Sequence, residues 1–224
     1  MATLHVLRVF ADEAGDHGTP LGVFLGGAEV PAERRQAVAH ELGFSETVFV
    51  DDAERALCRI FTPGMELPFA GHPMVGTAWL LAREGEPPEQ LRPPAGIVDV
   101  RRESELTFVA AKAEWSPPWE LIEAESAQAV AAMTEPPAGG GDLPFCWAWA
   151  DEAAGQARAR CWSLEDIGED EATGSAAIML AVALERPVTI RQGEGSLLYA
   201  APLDEGRAEV GGRVVLDEVR ELAL

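Results

Sequence analysis

The chain has 224 residues, 47% of them hydrophobic and 25% charged, which suits a folded protein with one large core or two modest ones and excludes a disordered polymer. Its 38 acidic against 17 basic side chains leave a net charge of −21, a field that repels phosphate backbones and anionic lipids and argues against nucleic-acid or membrane partners. Cys58, Cys146 and Cys161 form no CxxC pair and no apolar run reaches membrane-spanning length, so a reducing, cytoplasmic setting is expected.

Leu4 to Phe10 reads as a first strand and not a signal peptide, because its apolar stretch soon turns acidic. A loop from Asp12 to Pro20 leads to a second strand over Leu21 to Leu25. Pro31 opens a helix that runs to about Leu42, with Gly43 as its stop. Ser45 to Val50 and Ala56 to Phe61 are expected as partner strands. Gly71 to Arg83 holds a nearly all-apolar helix, followed by a loop over Pro87 to Pro94 and strands over Ile97 to Arg101 and Leu106 to Lys112.

Trp115-Ser116-Pro117-Pro118 marks a boundary, which divides the chain into domains over 1–115 and 116–224, the final strand of the second being free to return to the first. Pro136 to Asp142 reads as a flexible loop. A strand over Ala157 to Ser163 and a second apolar helix over Gly174 to Leu184 follow. Strands over Val188 to Gln192, Leu197 to Ala200, Ala208 to Val215 and Val219 to Leu224 complete the chain.

An apolar helix flanked by strands must be buried all round, and seeing it twice suggests a repeat. Arg59-Ile60-Phe61-Thr62 precedes the first helix and Arg160-Cys161-Trp162-Ser163 the second, each basic, apolar, aromatic, hydroxyl. Gly76-Thr77-Ala78 and Gly174-Ser175-Ala176 match as a further triplet, which sets His72 against Asp170. The fold class expected is therefore α+β: two pseudo-symmetric units, each a mixed, mostly antiparallel sheet wrapped around one central apolar helix.

A buried helix start offers unpaired N–H groups and partial positive charge, and small residues let a ligand approach them. Gly71-His72-Pro73 and the segment from Asp170 to Ser175 both fit such an anion-holding start, and facing each other they would clamp a carboxylate. The plainer alternative is N-capping by Asp170, Thr173 or Ser175. Glu46 shares a strand face with Val48 and Val50, where burial would drive a carboxylate toward proton-transfer chemistry; its ordinary alternative is a strand end pointing into water. His5, His17 and His40 have no metal-ligand spacing, and Lys112, the one lysine, is not set for a Schiff base. No dinucleotide, Walker or GxSxG signature is present.

Ser45-Glu46-Thr47, the segment LPFAGHP over Leu67 to Pro73 and DEATGSAA over Asp170 to Ala177 together resemble the phenazine-biosynthesis PhzF-like family, in order and spacing from Val9 to Val215. The resemblance implies a diaminopimelate-epimerase-like fold and a cofactor-independent isomerase, commonly a homodimer, that moves a proton on a small cyclic or amino-acid-derived carboxylic acid. It implies Glu46 as general acid/base, with Ser45, Gly71, His72, Asp170, Gly174 and Ser175 around the substrate, and no metal or coenzyme. The chain departs from the family pattern at Thr19, at Glu171, which is expected to set a negative charge beside the pocket, and at Glu194, where a basic residue is missing; it also reads as shortened between Trp115 and Ala157. Two other functions stay open: an amino-acid epimerase of the related two-thiol type, which would carry cysteines at the helix starts, and a small-molecule-binding member without turnover.

Overall fold

The two segments richest in small and apolar residues form buried helices, and the strands wrap around them. The computed structural model describes residues 1–85, 87–139, 141–163 and 168–223. In chain order, β1 (Ala2–Ala11), β2 (Thr19–Phe24), α1 (Ala32–Leu42), β3 (Glu46–Asp52), β4 (Leu57–Phe61) and β5 (Glu66–Leu67) precede α2 (Gly71–Glu84). After it come β6 (Gln90–Leu91), β7 (Val98–Glu103) and β8 (Leu106–Lys112). The second half supplies β9 (Glu120–Glu123), α3 (Ala127–Ala132), β10 (Pro144–Asp151), β11 (Gln156–Ser163) and β12 (Gly168–Asp170) ahead of α4 (Gly174–Leu184). It ends with β13 (Val188–Gln192), β14 (Ser196–Pro202) and β15 (Arg207–Leu222). Gly140, in the loop expected over 136–142, and Leu224, at the end of the expected tail strand, lie outside the described residues.

The class is α+β and mostly sheet, and its strand pairing repeats. β3 runs parallel to β2 and antiparallel to β4, and β10 runs parallel to β9 and antiparallel to β11. β5 folds back on β4 as β12 does on β11. After each central helix the chain returns parallel to the strand before it, by the Leu57↔Arg92 bridge in the first half and by β11–β13 in the second. An ion pair repeats with the strands: Arg59 holds Glu66 across β4 and β5, and Arg160 holds Glu169 across β11 and β12.

These registers correct the repeat read from sequence. The Arg59 and Arg160 segments do correspond, since Ile60 pairs with Leu67 as Cys161 pairs with Asp170. The helix triplets do not: α2 begins at Gly71 and α4 at Gly174, so Gly71, five residues before Gly76, is the counterpart of Gly174. Asp170 is therefore the counterpart of Leu67, and His72 of Ser175.

α2 buries Gly71 through Ala78 with Leu80 and Leu81, and α4 buries Gly174 through Ile178 with Leu180 and Ala181. Helices apolar on every face find no water-facing side, so sheet must enclose them. On the outer face of β1 to β4, α1 covers a second cluster in which Phe24 stacks on Phe49 at 5.0 Å and Phe61 meets Phe49 edge-on at 5.5 Å. α1 begins after Pro31 and stops at Gly43, whose φ of 69° is left-handed backbone that glycine adopts at no steric cost. Its counterpart α3 has only 6 residues.

The tail is one strand of 16 residues and not two. A bulge leaves Asp217 unpaired between Leu7↔Leu216 and Val6↔Glu218, which is why the pattern reads as broken there, and Arg8 fills the bulge with bonds of 2.7 and 3.0 Å to Asp217. The strand pairs with β14 and β8 over its first part and with β1 over the rest, so it ties the two halves together. β9, α3 and β10 were not legible in sequence: β10 is buried without alternation over Pro144 to Ala148, so it shows no period of two.

Candidate active site

The N-termini of α2 and α4 meet. A Cβ on Gly71 would lie 2.8 Å from the Gly174 carbonyl carbon, and one on Gly174 would lie 3.0 Å from the His72 nitrogen. Only residues without side chains let these backbones approach so closely. Neither helix carries a side-chain N-cap, so plain capping does not describe these ends. The thinner alternative for Glu46, a side chain in water, also fails, since that side chain is 14% exposed at the mouth of β3.

Around the meeting point lies a cavity of about 330 Å³. Its walls come from counterpart positions of the two halves. Ser45 and Glu46 correspond to Asp142 and Leu143, Thr62 to Ser163, and Leu67 to Asp170. Ala70, Gly71 and His72 correspond to Thr173, Gly174 and Ser175 in the same way. The structure thus brings Ser45, Glu46, Gly71, His72, Asp170, Gly174 and Ser175 to one cavity.

Chemically the halves differ. The first presents an acid and an imidazole: Glu46 Oε2 lies 3.2 Å from His72 Nε2. Burial pushes the His72 imidazole down to about 4, against a smaller upward pull from Asp170, so the ring is neutral near pH 7. The second half replaces that pair with Leu143 and Ser175, and carries its acid at position 170. Burial raises Asp170, with His72 opposing and Glu46 adding to the shift. Thr173 Oγ1 donates to Asp170 Oδ2 at 2.7 Å, and the Ala172 amide approaches Oδ1 at 3.4 Å. Gln192 locks this turn from below, donating to Asp170 O and Thr173 Oγ1 at 2.9 Å and accepting from the Thr173 amide at 3.1 Å.

Sequence reasoning missed Trp119, whose indole donates to Ser175 Oγ at 2.9 Å from a segment that reads as a boundary, and Asp142, which reads as the end of a loop. Thr62 and Ser163 carried a signal, as the matched hydroxyls of the repeat, that pointed to no role.

One of the three departures sits elsewhere than expected. The Glu171 carboxylate is not beside the cavity: it accepts from the amides of Glu194, Gly195 and Ser196 at 2.8, 3.2 and 3.3 Å and from Ser196 Oγ at 2.8 Å. A turn rich in unpaired N–H groups is a better partner for that charge than an acidic cavity. Glu194 is exposed and pairs with Arg160 at 3.1 Å. Thr19 is buried, its hydroxyl donating to Ala172 O at 3.3 Å.

No thiol lines the cavity, although Cys161 lies beside Asp170 and Thr173, which do. Cys58, Cys146 and Cys161 are free and buried, and desolvation pushes Cys58 up to about 12, Cys146 up to about 11 and Cys161 upward as well. Ala70 and Thr173 occupy the residues just before the two helices. Among the described residues, no three of His, Cys, Asp and Glu are grouped to hold a metal ion, and no helix is long and apolar enough to cross a membrane. A larger depression of about 1020 Å³ lies at the far end of α2, but its charged residues, among them Arg55, Glu84 and Arg92, are exposed.

Residues 7–139 match the family model described as phenazine biosynthesis-like protein, PhzC-PhzF. An uncharacterized isomerase of Pasteurella multocida is 41% identical over 107 residues, 45% of this chain and 36% of that protein. The trans-2,3-dihydro-3-hydroxyanthranilate isomerase of Pseudomonas aeruginosa is 44% identical over 82 residues, 35% of this chain and 29% of that enzyme. The matched stretches are thus about a third of these relatives' own lengths. The crystal structure of a PhzF-family phenazine biosynthesis protein from Enterococcus faecalis shares the fold, with a TM-score of 0.80 over 100% of this chain and 99% of that one at 20% identity.

Proposed function

The chain belongs to the PhzC-PhzF family of phenazine biosynthesis-like proteins, and from that premise we propose that it is an isomerase that moves a proton between carbons of a small carboxylic acid, with Glu46 as general acid/base. The observation that carries this is the position of Glu46: a largely buried acid 3.2 Å from a neutral imidazole, at a cavity where two helix N-termini converge.

In this reading the Glu46 carboxylate takes a proton from a carbon that is next to the substrate's carboxylate or joined to it through conjugated double bonds, and the electron pair left behind spreads onto the carboxylate oxygens. The amide groups that open α4 and the Ser175 hydroxyl stabilise that negative charge in place, which is worth most in a water-poor site. Glu46, or His72 acting as relay, then returns the proton to another carbon, and no atom is gained or lost. A cavity of about 330 Å³ suits a small cyclic or amino-acid-derived acid. The substrate named for the Pseudomonas aeruginosa relative, trans-2,3-dihydro-3-hydroxyanthranilate, is one compound of this class.

The test needs only the proton-transfer step. Candidate acids, including that one and cyclic amino acids, are incubated with the protein in deuterated water and examined for label at carbon. Glu46→Gln should lower incorporation by at least about 10²-fold, the lower range for a positioned acid/base. A folded Glu46→Gln protein that exchanges at the wild-type rate ends the proposal. The two-thiol epimerase reading is less well supported, since Ala70 and Thr173 stand where its thiols would be needed. A binding protein without turnover would hold such acids and leave them unlabelled.

A further inference from the structure

Trp119 makes a contact whose polarity has only one solution. An indole N–H can donate and cannot accept. Its 2.9 Å bond to Ser175 Oγ therefore occupies an acceptor position of that hydroxyl, and the Ser175 proton must be spent elsewhere. Ser175 is 6% exposed, and its hydrogen meets no acceptor among the described residues. Its remaining open direction is the cavity that Ser175 and Trp119 both line. Ser116 steadies the same residue from behind, its Oγ donating to the Ser175 carbonyl at 3.1 Å.

The counterpart positions sharpen the point. Ser175 corresponds to His72, Leu143 to Glu46 and, by the parallel pairings of β2 with β3 and β9 with β10, Trp119 to Leu21. Where the first half sets an imidazole against an acid, the second sets a hydroxyl against an indole. The first pair can move a proton and the second can hold an oxygen, and the second half adds Asp142 and Asp170 to the wall away from that pair's counterpart positions.

We propose that Trp119 is a positioning residue that fixes Ser175 as a hydrogen-bond donor at the start of α4, and so determines where a substrate carboxylate oxygen sits relative to Glu46. This rests on reading the cavity as the isomerase site, and it adds a residue from the segment that joins the two halves. Trp119 does not touch the reacting carbon in this assignment; it acts through Ser175.

The experiment uses benzoate, a planar carboxylate of suitable size with no exchangeable carbon-bound proton, titrated calorimetrically into the full chain. Trp119→Phe keeps a ring in the wall and removes the N–H. It should weaken benzoate binding about fivefold, the worth of one oriented hydrogen bond. Ser175→Ala should weaken it at least as much, and the double variant should be no weaker than Ser175→Ala alone. Trp119 acting only through packing would weaken binding equally in both backgrounds and overturn the proposal; so would wild-type protein that binds no benzoate. A readout free of ligand guards against a misfolded Trp119→Phe: Ser175→Ala should move the Trp119 indole N–H proton resonance upfield, and an unmoved resonance refutes the bond. Glu46→Gln should still bind benzoate, so a failure of the proton-transfer reading is distinguishable from a failure of this one.

Discussion

Acidification from pH 7 to pH 5 should cost this protein about 2 kcal/mol through His72 alone. The imidazole titrates near 6.5 in an unfolded chain and is held down to about 4 by burial. Between those values the unfolded chain binds a proton that the folded one refuses, so stability falls as pH falls. The contribution is fully present above about pH 6.5 and, carried down to pH 4, amounts to about 3 kcal/mol. Asp170, the neighbouring acid with a raised pKa, acts in the opposite sense, since protonation relieves its burial. Relief of the −21 net charge also favours the fold at low pH. The net-charge effect persists in a His72→Gln variant and cancels in the comparison, while Asp170, freed of the opposing pull of His72, is raised further there and widens the difference in the same direction. Urea denaturation followed by tryptophan fluorescence at pH 7 and pH 5 reads that difference. The wild-type midpoint should drop roughly 1 M further than the variant's, for a slope of about 2 kcal/mol per molar urea. Midpoints that move in parallel would mean that His72 is not held neutral by burial, and the account of the Glu46–His72 contact would fall with it.

Gly71→Ala should destabilise by about 1–3 kcal/mol, the usual cost of overpacking, because its Cβ would lie 2.8 Å from Gly174 backbone that has no flexible side chain to yield. It should also abolish carbon-bound exchange by prising the helix starts apart; thermal melts and the deuterium assay read the two effects, and an unaltered melting temperature would refute the close contact. Glu171→Ala removes an acceptor shared by the 194–196 turn, and should cost about 2 kcal/mol, or about 4–8 °C in melting temperature, while benzoate affinity stays within about twofold of wild type. A strong loss of affinity with unchanged stability would restore Glu171 to the cavity.

Much of the candidate site was legible because its members announce themselves locally. Glycine beside histidine at the head of an apolar helix, and an acid on an otherwise apolar strand face, are anomalies within a few residues of sequence. Val48 and Val50 do face the α2 core, while Phe49 faces the outer cluster under α1, so the alternation that singled out Glu46 holds. The register of the repeat was not legible. Gly76-Thr77-Ala78 imitates Gly174-Ser175-Ala176 in letters, yet strand pairing makes Gly71 the counterpart. Trp119 and Asp142 left no local mark at all.

Burial, period and helix starts are set by neighbours along the chain, and these the sequence alone determined: two enclosed helices, strands around them, and the chemistry available at each helix head. Which groups share one cavity was decided only in three dimensions. That outcome depends on β15 pairing with β8 and, across nearly the whole chain, with β1, on two glycine backbones touching, and on where the charge of Glu171 finds its donors. Such contacts are chosen by the whole packed structure, because a carboxylate or an indole goes where its hydrogen bonds are best met, and no short stretch of residues specifies that place.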